Sequence, residues 1–219
     1  VRDLTVLSGL FETMFFIYQR RALRVVELPT YPLSSNNIKG LSVLSYVYNQ
    51  ITRNIGWRHF IDEIAYNGNR VNSIFGVKAK RINHFIGLED LKISSSENKS
   101  PVFAFVSSLQ SYHGIDRILK SLSVSHVSAK LLIVGGTEVQ IANLRSQYIS
   151  DDRIEFFPFL EDEQLDEVLS RATIGLSAMS LYRIGLTITS GLKVAEYAAR
   201  GLHIVLGYED ETFSNKDYC

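Results

Sequence analysis

The densest run of chemistry-bearing residues is 183–201, RIGLTITSGLKVAEYAARG. Thr189 or Ser190 can cap a helix that runs to Arg200, with Gly201 as its C-terminal stop. Lys193 then falls in the first turn, and Glu196 lies three residues on along the same face. A cation in the first turn opposes the helix dipole, so a compensating gain is expected. A bound phosphate supplies one. Backbone N–H groups, Lys193 and Arg183 would converge on the anion, and Glu196, one turn deeper, would accept hydrogen bonds from sugar hydroxyls. The plain alternative is a Lys–Glu pair on a solvated face. Flanking glycines and strand ends set this helix where open sheets bind ligands.

Gly135-Gly136 follows one apolar strand and precedes a helix, so the backbone there can approach a ligand or simply turn tightly. The full dinucleotide fingerprint and the Walker Gly-Lys-Ser/Thr loop are absent. His113, in Tyr112-His113-Gly114, stands in a strand-to-helix loop, either against a phosphate or in solvent. Asp116 reads as a helix N-terminal residue, and Glu161-Asp162-Glu163 as a solvated helix start without His or Cys partners. No Gly-x-Ser-x-Gly or HExxH motif occurs.

These residues need a scaffold of parallel strands and crossover helices, and the hydrophobic pattern supplies it. Strands are expected at 102–106, 131–134, 154–157, 174–176 and 204–206, with helices at 116–122, after Gly136 to Tyr148, at 163–171 and at 192–200. That is a Rossmann-like half with a parallel sheet. Upstream, the reading gives strands at 23–28 (ending at Pro29), 61–66 and 79–83, with helices at 38–55 and 69–75. The polar, Ser-rich stretch 92–100 reads as a linker. The expected organisation is a partial N-terminal α/β domain (1–91), the linker, and a C-terminal ligand-binding domain (101–219).

With 219 residues, 46% hydrophobic, the chain can bury a sizeable core. Lys+Arg and Asp+Glu both number 23, so the basic excess of a nucleic-acid binder is missing. The single cysteine, Cys219, excludes an internal disulfide framework and fits a reducing compartment. No apolar run reaches the ~20 residues that cross a bilayer, and no signal-peptide pattern is present.

The series Tyr112-His113-Gly114-Ile115-Asp116-Arg117, Gly135-Gly136, Arg153-Ile154-Glu155-Phe156 and Lys193-x-x-Glu196-Tyr197-x-x-x-Gly201 resembles the GT-B glycosyltransferases of the large retaining group called family 4, of the bacterial surface-polysaccharide type. The likeness covers 101–207. A weaker one upstream, at 27–32, 61–67 and 82–89, matches parts of the acceptor domain. It implies a donor-binding set of Glu196 on the nucleotide ribose, Lys193, Arg183 and His113 near the diphosphate or donor sugar, and Gly135, Gly136, Leu192 and Phe159 around them. Residues 157–160 would border the base. It further implies transfer with retention, no cofactor and no catalytic metal. The partners implied are a nucleotide-sugar donor and a saccharide or lipid-linked acceptor, at a cytoplasmic location with peripheral membrane contact.

The chain departs from the family pattern at Ser107-Ser108 (commonly Arg), His113 (commonly Lys) and Ile188 (the first of two glutamates). The first part of the acceptor domain and a C-terminal return helix are also expected to be missing. The alternative functional reading is a non-catalytic nucleotide-binding subunit, self-associated or completed by a partner chain. A sugar-nucleotide epimerase is a third.

Overall fold

The computed structural model describes residues 23–31, 47–48, 51, 53–84, 86–87, 100–148, 151–210 and 212–213. The chain divides into two compact units, 1–83 and 84–219. The linker expected at 92–100 lies outside the described residues apart from Ser100. Among the described residues, no helix is long and apolar enough to cross a membrane.

The first unit holds a four-stranded sheet of order β1-β2-β4-β3: β1 (Val25–Tyr31), β2 (Glu63–Gly68), β3 (Ser73–Ile74) and β4 (Val77–Arg81). β1, β2 and β4 run parallel, and β3 pairs antiparallel with β4. Alternation along β1 buries Val26 and Leu28 on one face, where they join Trp57, Ile61, Ile64, Tyr66, Ile74 and Val77. The strand expected to stop at Pro29 continues to Tyr31, because β1 is an edge strand on which proline is tolerated, with a register shift after Leu28.

The short helix expected at 69–75 is absent. In its place Phe75 and Gly76, both at positive φ (50° and 74°), turn β3 back onto β4 as a two-residue hairpin. Most of the helix expected at 38–55 lies outside the described residues. Residues 47, 48 and 51 are helical, and a π-helical turn, Arg53–Trp57, runs into a single α-helical turn, Arg58–Phe60.

The second unit is a five-stranded, all-parallel sheet of order β7-β6-β5-β8-β9. Its strands are β5 (Val102–Val106), β6 (Lys130–Val134), β7 (Ile154–Phe157), β8 (Ile174–Leu176) and β9 (His203–Val205). Its helices are α1 (Ile115–Ser123), α2 (Glu138–Gln147), α3 (Asp162–Ser170) and α4 (Leu192–Ala199). These elements match the sequence expectation to within a residue or two at most ends.

The central strands read as continuous apolar runs because both faces are covered. Phe105, Leu131 and Ile133 point to one side with Leu119 of α1 and Ile141 of α2. Ala104 and Ile204 point to the other with Leu169 of α3 and Val194, Ala195 and Tyr197 of α4. Burying each large apolar side chain of this kind contributes about 1.5–3 kcal/mol, so α4 is held by its buried face and not by propensity alone. Its C-terminus closes as the sequence suggests: Leu202 N–H bonds Tyr197 O and Gly201 N–H bonds Ala198 O, with Gly201 at φ 76°.

Candidate functional site

In the order β7-β6-β5-β8-β9, chain connections run outward in opposite directions from β5 and β8. The loops leaving the C-terminal ends of these two neighbours therefore diverge and open a crevice. A cavity of about 210 Å³ lies there, walled by Ser107, His113, Ser177, Gly191, Lys193 and Tyr208 among others.

The N-terminus of α4 forms one wall. Its N-cap is Gly191, not the expected Thr189 or Ser190, and no side chain caps it. Ser190 is turned to other work: its Oγ accepts the His84 N–H at 3.1 Å, and its carbonyl lies 2.7 Å from His84 Nδ1. The backbone N–H groups of Leu192 and Lys193 consequently have no acceptor among the described residues. These are the orphan donors of a helix start, with the positive end of the dipole behind them.

Lys193 adds a formal charge. Burial pushes its ammonium pKa down to about 8, with Glu196 partly opposing the shift. Among the described residues no carboxylate closes an ion pair with it, so the solvated Lys–Glu pair does not form. Glu196 is half-buried one turn along and its carboxylate accepts no hydrogen bond from a described residue.

His113 forms the opposite wall. The Gln110 N–H donates to its Nδ1 at 3.2 Å, and Ser107 Oγ lies 3.3 Å from the same nitrogen. Nδ1 is thus an acceptor, which places the ring proton on Nε2, free to donate. Burial, reinforced by Lys193, lowers the imidazole pKa to about 4, so the ring is neutral near pH 7. Its loop is laced to the loop after β8: Met179 N–H bonds His113 O at 2.9 Å, and Arg117 Nη1 donates to Met179 O at 2.8 Å.

Of the other expected residues, Leu192 lines the cavity and Arg183, Gly135, Gly136 and Phe159 do not. Arg183 does not line the cavity. Its guanidinium forks onto Asp116 (Nη1–Oδ1 2.9 Å, Nη2–Oδ2 2.7 Å) and donates to Ser111 O at 2.6 Å. It pins the Ser111–His113 turn to the Leu181–Ile184 turn. Gly135 and Gly136 sit at the end of β6 and are demanded by packing: a Cβ on Gly135 would stand 2.2 Å from Ser107 O, and one on Gly136 2.5 Å from Leu109 Cδ1. Leu192 lines the cavity while 48% exposed. Phe159 follows the edge strand β7, 68% exposed, with β6 between that strand and β5.

Several residues at the site were not singled out from the sequence. Tyr208, following β9, accepts a hydrogen bond from Ser177 Oγ at 2.9 Å. Asp210, fully buried, accepts from Gly191 N–H at 3.4 Å and Thr212 N–H at 3.0 Å, which orients the start of α4. Burial raises its carboxyl pKa. Tyr197, fully buried beside Gly175, accepts the Val106 N–H at 3.0 Å and so ties α4 to the end of β5. The only sequence signal for Tyr197 is its place beside Glu196 in the motif, and Tyr208 has none.

A parallel doubly wound sheet with an open helix terminus, a half-buried lysine and a neutral histidine at its switch point defines a Rossmann-like domain. The chain belongs to the glycosyl transferases group 1 family, whose model matches residues 88–210, more than half of its length. Among curated protein sequences none matches significantly.

Similar solved structures include sucrose-phosphate synthase from Thermosynechococcus elongatus (16% identity, TM-score 0.64, 93% of this chain and 54% of that one). HepE (Alr3699) from Anabaena, solved in complex with UDP, gives 15% identity and TM-score 0.65 over 93% of this chain and 58% of that one. The lipopolysaccharide outer core galactosyltransferase WaaB, in its apo form, gives 11% and 0.52 over 91% and 60%. At these identities the likeness carries the fold, α/β of the GT-B type. The chain spans little more than half the length of these proteins.

Proposed function

We propose that this chain is the donor-binding part of a glycosyltransferase that moves a hexose from a nucleotide-sugar to a saccharide or lipid-linked acceptor, with retention, in surface-polysaccharide synthesis. The observation that carries the reading is the uncapped start of α4, with two N–H groups lacking acceptors beside the ammonium of half-buried Lys193. In transfer, the bond between the anomeric carbon and the diphosphate oxygen breaks and the acceptor hydroxyl oxygen bonds that carbon. The acceptor's proton leaves to the departing diphosphate or to solvent. Charge grows on the diphosphate, where Lys193, the N–H pair and His113 Nε2–H would stabilise it without a metal. The 210 Å³ cavity suits a phosphate-bearing portion of the donor, and Glu196 is left to hold ribose hydroxyls.

HepE solved with UDP, and the pneumococcal O-GlcNAc transferase GtfA solved with UDP and GlcNAc (TM-score 0.51), favour a uridine donor. Calorimetric titration of the purified chain with UDP and GDP, repeated for Lys193→Ala and Glu196→Ala, tests the assignment. UDP binding weakened at least about tenfold by each substitution is expected. A folded wild-type chain that binds neither nucleotide ends the donor-site reading. A second reading, in which the chain binds nucleotide but needs a partner chain to transfer, is separated from the first by assaying turnover alongside binding. UDP binding without turnover, restored on adding such a chain, would select it.

A further inference from the structure

The start of α4 lacks a side-chain cap, yet a hydroxyl stands over it. A Cβ built on Gly191 would lie 2.5 Å from Tyr208 Oη, so glycine here leaves the space that the phenol fills. Tyr208 reaches this point from the third position after β9, a segment separate from both loops described above. Ser177 Oγ donates to Oη at 2.9 Å, which uses a lone pair and leaves the phenol's own proton to be given elsewhere. That proton has no acceptor among the described residues. Lys193 and His113 line the same cavity as Tyr208, so the Lys193 ammonium, His113 Nε2–H and the Tyr208 hydroxyl face one small space, and no carboxylate side chain lines it. Donors without acceptors in a partly desolvated space are costly unless water or an anion completes them.

We infer that the Tyr208 hydroxyl is a further ligand of the donor's diphosphate, donating its proton to a phosphate oxygen at the mouth of α4, and that Ser177 is the positioning residue that sets the hydroxyl's direction. The inference rests on the donor-site reading above and adds to it a residue from the segment that follows β9. Burial pushes the phenol pKa up to about 12, so the group remains a donor throughout the working range. Gly191 gains a second duty, since any side chain there would displace the hydroxyl.

The test is titration of UDP and of uridine into the wild-type chain, Tyr208→Phe and Ser177→Ala, with thermal melts of each. Loss of one hydrogen bond to a charged group predicts a UDP affinity about tenfold lower in Tyr208→Phe, with uridine unchanged. Ser177→Ala should lower UDP affinity about threefold, again sparing uridine, because the phenol is retained but less well directed. A purely structural role would move the melting temperature, or both ligands together, and leave the UDP-to-uridine ratio alone. A folded Tyr208→Phe that binds UDP like the wild type overturns the inference while leaving the donor site intact. Failure of the wild type to bind UDP or GDP overturns the donor site itself. Should Tyr208→Phe melt too low to titrate, the Ser177→Ala ratio decides in the same way.

Discussion

Two strand-to-helix junctions of the same sheet, β6–α2 and β8–α4, both carry glycine and both aim a helix start toward the C-terminal edge of the strands, yet only one is open. At β6–α2 the helix closes on itself. Thr137 Oγ1 accepts the Gln140 N–H at 3.2 Å, and Gln140 Oε1 accepts the Thr137 N–H at 2.8 Å. Gly135-Gly136 serve the close approach of Ser107 and Leu109. At β8–α4 the N-cap has no side chain, the nearby serine is bound to His84, and a half-buried lysine is set in the first turn. A glycine-rich turn is therefore not a ligand signal in itself. What distinguishes the site is a helix start whose donors are left unfilled and whose local charge has the wrong sign for an isolated helix.

Closing the open junction should give the largest effect. Gly191→Asp supplies a capping carboxylate to the α4 N–H groups, neutralises Lys193 and intrudes on Tyr208. UDP affinity is expected to fall about a hundredfold or more, with little change in melting temperature because the new cap offsets the crowding. The mirror change, Thr137→Ala, opens the closed junction. It should cost about 1 kcal/mol of stability and leave UDP affinity untouched. Titration and melting of the two variants side by side check the contrast. UDP binding by Gly191→Asp at wild-type strength would move the site away from α4.

The fold was mostly legible in the sequence, and the site only in part. Continuous apolar strands and amphipathic crossovers gave β5 to β9 nearly to the residue, because a parallel sheet covered on both faces writes itself as uninterrupted hydrophobic runs. The upstream hairpin escaped because β3 is two residues long and its turn begins with Phe75 at positive φ, a residue that carries no turn signal. Lys193 was readable as a cation in the wrong turn. The capping box of Thr137 and Gln140 was also readable, three residues apart directly after Gly136, and would have demoted the glycine pair. Tyr208, Ser177 and Asp210 were not: they reach the site through tertiary placement, and no local spacing links them to α4.

The pH profile sharpens the comparison with an effect of intermediate size. Lys193 titrates near 8 in the folded free chain, against an ordinary value of 10.5. Between those values the unfolded chain holds more protons than the folded one, so this group's contribution to stability rises with pH across that window and is least favourable below it. A bound diphosphate favours the ammonium form. Binding should therefore take up a proton above about pH 8, and UDP affinity should fall by at most about tenfold per pH unit there. Lys193→Met should flatten that profile, raise the melting temperature at neutral pH and lose UDP affinity. Thr137→Ala should keep the wild-type profile. Calorimetry in two buffers of different ionisation enthalpy reads the proton directly. A flat profile in the wild type would remove Lys193 from the anion's contacts.

The smallest expected effect separates two ways in which Arg183 can serve the site. As placed, its fork is filled by Asp116 and the Ser111 carbonyl, so it acts on the ligand through the Ser111–His113 turn that it holds. The pair is substantially exposed, with Asp116 at 57%, and exposed pairs of this kind are worth little in stability, about 0–1 kcal/mol. Arg183→Ala should then loosen His113 and lower UDP affinity about two- to fivefold, and Asp116→Ala, which leaves the Arg183 bond to Ser111 O, should lower it by no more than that. The double substitution should be hardly worse than Arg183→Ala alone, because Asp116 acts on the turn only through the Arg183 guanidinium. If Arg183 instead contacted the diphosphate, Asp116→Ala would release the guanidinium and strengthen binding while Arg183→Ala weakened it. The sign of the Asp116→Ala change therefore decides whether the open junction is served by one cation or by two.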